Sequence, residues 1–367
     1  MNTLKAIIGE KELDALAIGA NILGSGGGGD PAYDMLIAKE CIREWGPVLL
    51  LSVDAIDDQS WVAPIGYMGA PLICLEKLPS GREFPIIVKE LAKCKKSIGA
   101  LLPFEIGGSN AFAPFCAAGK LGLPVLDADT FGRAFPEMNM SVCELAGISP
   151  SPAIIVDNHD QYAIVHAHDG VSMERKLRAL TTSMGASAAV CTYPMQGRQA
   201  KEILIKGSLS LAIEMGKTFI EASEKGELVP SEILKQWGGT FLCEGTIVNN
   251  VSSLQDSFLK GEVCIEGGNR QWTIHYQNEF LAIQENNHFL ATTPDIIVVF
   301  DNDSGMPVPV ERLAFGLQVS VCALPAPTIW QTPAGLACVG PRAFGFSCDY
   351  QPVSERGKVG CARLELI

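Results

Sequence analysis

Carboxylates recur in this chain where apolar runs end. Residues 98–103 read as a strand, and Glu105 follows at the head of Glu105-Ile106-Gly107-Gly108-Ser109-Asn110. Burial at the mouth of a sheet raises the pKa of such a group and suits it to proton transfer. Asn110 caps the next helix or holds a ligand amide. A second short strand, 123–126, runs into Asp127-Ala128-Asp129. In extended chain both aspartates point the same way, and two adjacent like charges call for a cation, a metal or a shared proton. Arg133 is the nearest cation in sequence. The active reading makes one carboxylate a base and Arg133 an anion clamp; the structural reading is a plain Asp–Arg pair. Asp127, Asp129 and Glu137 also offer oxygen ligands to a divalent metal. Glu76, after the apolar residues 72–75, is either a ligand contact or a strand end. His166 and His168 are spaced to face one side of a strand, although two ligands do not make a metal site. No Gly-x-Ser-x-Gly elbow is present, so a serine hydrolase has no support.

The run Leu23-Gly24-Ser25-Gly26-Gly27-Gly28-Gly29-Asp30-Pro31 contains five glycines, which suits backbone that approaches something closely. Asp30 is placed to cap a following helix and Pro31 to start it. The amides of Gly26, Gly27, Gly28 and Gly29, with the positive end of that helix, are candidates to hold an anion or a small polar ligand. A ligand-free helix–helix corner is the alternative. A dinucleotide fingerprint needs a strand before its glycines, whereas Leu13, Leu16, Ala17, Ala20 and Leu23 have helical spacing. A P-loop needs Lys and Ser or Thr where this chain has Asp30 and Pro31. Nucleotide-dependent chemistry is therefore a minor alternative.

These groups need a scaffold. Helices are expected over 11–23, 31–45, 84–94 and 110–121, and strands over 48–53, 61–67, 98–103 and 123–126. Such alternation implies an α/β fold with a mainly parallel sheet, whose ligands lie beyond the carboxyl ends of its strands, where Asp54, Glu105, Asp127 and Asp129 fall. Residues 149–160, with Pro150 and Pro152, read as a boundary between an α/β domain (1–160) and a second domain (161–367). The latter begins with helices over 171–184, 195–215 and 219–236, the last turning near Gly226, and continues as a β-rich barrel or sandwich from Thr240.

The chain has 367 residues, 47% hydrophobic and 19% charged, with net charge −13. That charge and the absence of a basic run argue against nucleic acid. No apolar stretch is long enough to span a membrane, and no signal-peptide pattern opens the chain. The twelve cysteines, Cys74, Cys116, Cys191 and Cys322 among them, contain no Cys-x-x-Cys and read as reduced, mostly buried thiols of a cytoplasmic protein.

The ordered motifs at 23–31, Gly66-Tyr67-Met68-Gly69-Ala70-Pro71, 105–110, 127–129 and Gly132-Arg133-Ala134-Phe135-Pro136-Glu137 resemble the S-methyl thiohydantoin desulfurase-like family. So do the later Glu174-Arg175, Asn278-Glu279-Phe280 and Gly340-Pro341-Arg342-Ala343-Phe344-Gly345. The resemblance implies an α/β N-terminal domain, a β-containing C-terminal domain, and action on a sulfur-bearing hydantoin-type ring. It also implies association with hydantoinase or oxoprolinase systems, so a non-catalytic partner subunit is an alternative role. A homo-oligomer is expected. In the enzymatic reading Glu105 and Asp129 exchange protons with water and the leaving sulfur, Arg133 and the loop amides meet negative charge, and Asn110 and Glu76 contact substrate.

Overall fold

A computed structural model describes residues 4–69, 73, 76–95, 97–255 and 258–355. The chain forms two compact units: Met1–Leu23 with Gly28–Gly216, and Gly24–Gly27 with Lys217–Ile367.

The first unit is built on a sheet of β1 (Leu4–Ile8), β2 (Val48–Leu51), β3 (Trp61–Gly69), β4 (Ile98–Pro103), β5 (Val125–Leu126), β7 (Ala153–Val156), β8 (Tyr162–Val165), β9 (Ser187–Cys191) and β10 (Met195–Gln196). Its order is β1-β2-β5-β4-β3-β9-β7-β8, with β10 also on β3. The strands β2, β5, β4 and β3 are parallel, as the alternating pattern of the first 130 residues predicts. The whole sheet is mixed, not mainly parallel: β1, β9, β10, β7 and β8 all join antiparallel. The reason lies in residues 149–160, read from sequence as a boundary. They supply β7 and a tight turn in which Asp157 Oδ1 accepts the N–H groups of His159 and Gln161, folding β8 back on β7. The compact units divide at Gly216/Lys217.

Helices Glu10–Leu23, Pro31–Trp45, Glu83–Lys95 and Gly170–Ser183 lie within a residue or so of the spans expected from apolar spacing. The helix expected over 110–121 is broken at Pro114, which lacks an N–H, into a 3₁₀ turn (Gly108–Phe112) and a helix (Phe115–Leu121). The helix expected over 195–215 is also two. Gly197–Ile203 stops where β11 (Ile205–Lys206) pairs with β6 (Ala128–Asp129), and Gly207, at φ +83°, turns the chain into Ser208–Lys225. Among the described residues no helix is long and apolar enough to cross a membrane.

Among the described residues the second unit carries one antiparallel sheet of seven strands rather than a two-sheet sandwich. These are β12 (Thr240–Gln255), β13 (Phe258–Gly267), β14 (Arg270–Gln277), β15 (Glu279–Glu285), β16 (His288–Thr292), β17 (Ile296–Asp301) and β18 (Gln318–Leu324), in the order β16-β15-β14-β13-β12-β18-β17. Val263, Ile265, Ile274, Ile283, Val319 and Val321 belong to its core. Residues Gly24–Gly27 are built into this unit. The Ser25 hydroxyl donates to Ile297 O (3.0 Å) and accepts from Ile297 N (3.1 Å), while Phe280 N donates to Ser25 O (2.7 Å) and Val310 N to Gly26 O (2.9 Å). Fully buried Asp295 accepts from Ala326 N, Tyr350 Oη and Val353 N, tying down the segment that follows the sheet.

Candidate active site

Four strand-end carboxylates were singled out by sequence, and the first unit sorts them sharply. Asp54 is exposed and pairs with Lys206 (2.8 Å). Asp127 caps the helix at Ser208–Lys225, taking Ser210 N (2.9 Å) and Ser210 Oγ (2.6 Å). Glu105 and Asp129 remain, 7% and 0% exposed, with Arg133 also at 0%.

The two buried acids are held unequally. Asp129 Oδ2 accepts three backbone N–H groups, from Ile106 (2.9 Å), Phe131 (3.1 Å) and Gly132 (2.7 Å). The turn that delivers two of them has Gly132 at φ +70°, where L side chains are strained. Glu105 Oε1 accepts one side-chain N–H, from Asn110 Nδ2 (2.5 Å), and Oε2 is sealed from solvent with no hydrogen bond. Burial pushes the Glu105 pKa up to about 8; the negative charge of Asp129 adds to the rise, and Asn110, the Phe135 amide and Arg133 oppose it. Burial also pushes Asp129 up to about 7 against its three N–H donors and the Ser208 hydroxyl. Multiple N–H donors favour the ionised form, so Asp129 is the first of the pair to ionise as pH rises.

Arg133 Nε donates to Ala134 O (2.9 Å), and its guanidinium lies 4.6 Å from the Phe135 ring centre. Phe104 meets Phe131 edge-to-face at 5.1 Å, and Phe131 meets Phe135 at 5.7 Å. The acids and these rings are all buried, which places the charges in a medium of low dielectric. Arg133 is fully buried beside these rings, and its positive charge lowers the Glu105 pKa. Residue type alone does not mark the phenylalanines, although Phe104 adjoins Glu105 and Phe131 and Phe135 flank Arg133. Nor does it mark Tyr193, whose ring stacks on Phe104 (6.2 Å) and whose hydroxyl donates to Glu144 Oε2 (2.9 Å).

Part of the glycine run does reach the Glu105 loop. Ser109 N donates to Gly28 O (2.9 Å) and Gly29 O (3.2 Å), and Ser109 Oγ to Asp30 O (2.8 Å). The approach is backbone on backbone: a Cβ on Gly28 would lie 2.4 Å from Gly107 O, and one on Gly108 2.3 Å from Gly29 O. The result differs from the anion cradle expected. Gly27 N is spent on Gly24 O (2.9 Å), and Gly26 and Gly27 belong to the second unit, where a Cβ on Gly27 would meet Glu279 Oε1. The helix that follows is capped by the chain's own Asp30, whose Oδ1 takes Ala32 N (3.0 Å). Asp34 sits in its first turn, raised to about 6 by burial, with the Ser109 hydroxyl opposing and Asp30 reinforcing. The Gly27 and Ala32 amides of this corner are thus taken up by the chain's own carbonyl and carboxylate. A helix, not a strand, leads into it, so the dinucleotide geometry is absent.

Other candidates stand apart. Glu76 is exposed, and residues 70–72, 74 and 75 of its neighbourhood lie outside the described residues. His166 and His168 are exposed and follow the end of β8 rather than sharing a strand face. Glu137 is half-buried, and among the described residues no group of three or more His, Cys, Asp or Glu is arranged to hold a metal ion. The cysteines in the described residues are free, Cys116, Cys191 and Cys322 being buried; Cys74 lies outside them.

The fold has a solved counterpart. A crystal structure of a protein from Chromobacterium violaceum superposes with a TM-score of 0.75 at 24% identity, covering 95% of this chain and 100% of that one. No curated protein sequence matches the chain. Family models do match: the S-Me-THD-like N-terminal domain over residues 11–167 and the S-Me-THD-like C-terminal domain over 168–353. The chain belongs to the S-Me-THD-like family.

Proposed function

We propose that the protein is a hydrolase-like enzyme acting on a thiohydantoin or hydantoin-type ring, with Asp129 as base and Glu105 as acid. The observation that carries this reading is the unequal bonding of two sealed carboxylates: Asp129 Oδ2 accepts three backbone N–H groups, whereas Glu105 has the Asn110 amide and the Phe135 N–H and keeps Oε2 without a hydrogen bond. Two neighbouring acids pushed to different protonation states are what water addition to a ring carbon requires. For an S-methylthiohydantoin, Asp129 Oδ1 takes one proton of a water as its oxygen bonds to the carbon between the ring nitrogens. That proton passes to the ring nitrogen, which gains the electron pair of the C=N bond. Glu105 then protonates the sulfur as the C–S bond breaks, and the hydroxyl proton left on the new carbonyl returns to Glu105. Methanethiol and the oxygen-bearing ring are the products. Arg133 offsets the negative charge that builds up on the ring, and the phenylalanine wall limits competing water.

The test is a panel of S-methylthiohydantoins, thiohydantoins and hydantoins with thiol and sulfide detection. Against the substrate found, Glu105→Gln and Asp129→Asn should each lower turnover by about 10²–10⁴-fold, with the folded state retained. Near-wild-type turnover in either variant refutes the assignment.

A further inference from the structure

The amide of Asn110 cannot choose its orientation. Strand β4 pairs with β3 only as far as Pro103 opposite Ile65, and Phe104 N closes that ladder on Ile65 O. Beyond it, Tyr67 N faces past the end of β4, and Asn110 Oδ1 accepts it at 2.6 Å. The Tyr67 N–H is part-buried and donates to this oxygen, which holds the oxygen of Asn110 on Tyr67 while its nitrogen donates to Glu105. Room for this arrangement comes from Gly66, where a Cβ would lie 2.9 Å from Asn110 Oδ1 and 3.4 Å from Phe104 Cβ. The N–H of Asn110 then occupies Glu105 Oε1 and favours that oxygen as the acceptor of the carboxyl. Oε2, which has no hydrogen bond, is the oxygen better placed to carry the proton.

We infer that Asn110 is a positioning residue, pinned by the Tyr67 backbone and seated by Gly66, that confines the acidic proton of Glu105 to Oε2 and keeps Oε1 as an acceptor. The inference rests on Glu105 being the acid of the proposed reaction, but its geometry is independent of any substrate. It gives Asn110 a role besides the expected contact with the ring, since its oxygen and one of its two N–H groups are engaged within the protein. The charged groups facing Glu105 are Asp129, which holds the proton on, and Arg133, which favours its release. The Asn110 N–H favours release too, so removing it must strengthen proton retention.

Two variants test this. Asn110→Asp keeps an acceptor for Tyr67 N but deletes the donor to Glu105; Gly66→Ala leaves both side chains in place and displaces the amide. The Glu105 carboxyl band is followed by infrared spectroscopy against pH, with isotope-labelled glutamate and Glu105→Gln for subtraction. In Asn110→Asp the midpoint should rise by about one pH unit or more, and in Gly66→Ala it should move the same way. Where turnover of an S-methylthiohydantoin is measurable, its alkaline limb should move with the band. Unchanged midpoints in folded variants overturn the inference, and Gly66→Ala alone decides if Asn110→Asp does not fold. A band that moves while Glu105→Gln retains full turnover upholds the role of Asn110 and removes Glu105 from the reaction.

Discussion

Raising the pH toward neutrality should loosen the first unit, and deleting one carboxyl should remove a measurable share of that loosening. In the unfolded chain Glu105 gives up its proton around the ordinary value of 4.5, whereas the folded chain holds it to about 8. For Asp129 the corresponding values are 3.8 and about 7. Across those windows the folded state binds protons that the unfolded state has released. The stabilisation is therefore complete below the unfolded values and is lost as pH climbs toward the folded ones. Each group lowers the unfolding free energy by about 1.4 kcal/mol per pH unit within its window. Both windows overlap between about pH 5 and 7, so the pair contributes a fall of about 2.8 kcal/mol per pH unit there. Gln at position 105 cannot ionise. The Glu105→Gln variant should therefore lose about half of that slope, and its stability should gain on the wild type by about 1.4 kcal/mol for every unit of rising pH. Pulse proteolysis in urea, read on peptides from β4 and β5, reports the first unit. Slopes arising from all other groups cancel when the two proteins are compared at matched pH. Parallel stability curves for wild type and variant over this range would refute the claim that Glu105 is buried and protonated.

Other positions give sharper mechanical tests. Gly28→Ala places a Cβ 2.4 Å from Gly107 O at a residue with φ +76°, and should cost at least about 1–2 kcal/mol from the left-handed backbone alone; a thermal melt within a degree of wild type would contradict the backbone-on-backbone packing. Asp295→Asn keeps the shape but weakens the three donors gathered on that carboxylate, and should cost about 1–3 kcal/mol. Limited proteolysis should then cut the segment around Tyr350 faster than in the wild type.

Much of the scaffold around the acids was legible because its signals are local. Apolar spacing and the Asp30-Pro31 start set the helix at Pro31–Trp45, and the unbroken apolar run Ile98–Pro103 set β4 with Glu105 beyond it. Glu105 and Asp129 could be nominated from strand ends alone. What separated them from Asp54 and Asp127 could not, because it depends on remote partners: Lys206 for one and Ser210 for the other. The antiparallel half of the first sheet was hidden for a similar reason. Residues 149–160 carry the prolines of a linker, yet the buried Ala153–Val156 pairs with strands on both sides, and only tertiary contact overrides the local signal. The break before Ser208 follows from Ile205 and Lys206 pairing with residues nearly eighty positions earlier. Asn110 was read as a cap or a ligand contact because nothing near it in sequence announces the amide of Tyr67.

Strand β9 has a consequence for how the chain is made. It lies between β3 and β7 and is hydrogen-bonded to both, although it follows them by 118 and 31 residues, counting from Gly69 and Val156 to Ser187. Until it leaves the ribosome, both neighbours present bare ladder edges, one of them bearing the apolar run Ala153–Val156. Nascent chains stalled before Ser187 should consequently be the species that chaperones bind and that aggregate, and a gene split at the junction of the two family domains would encode an amino-terminal half with that seam permanently open.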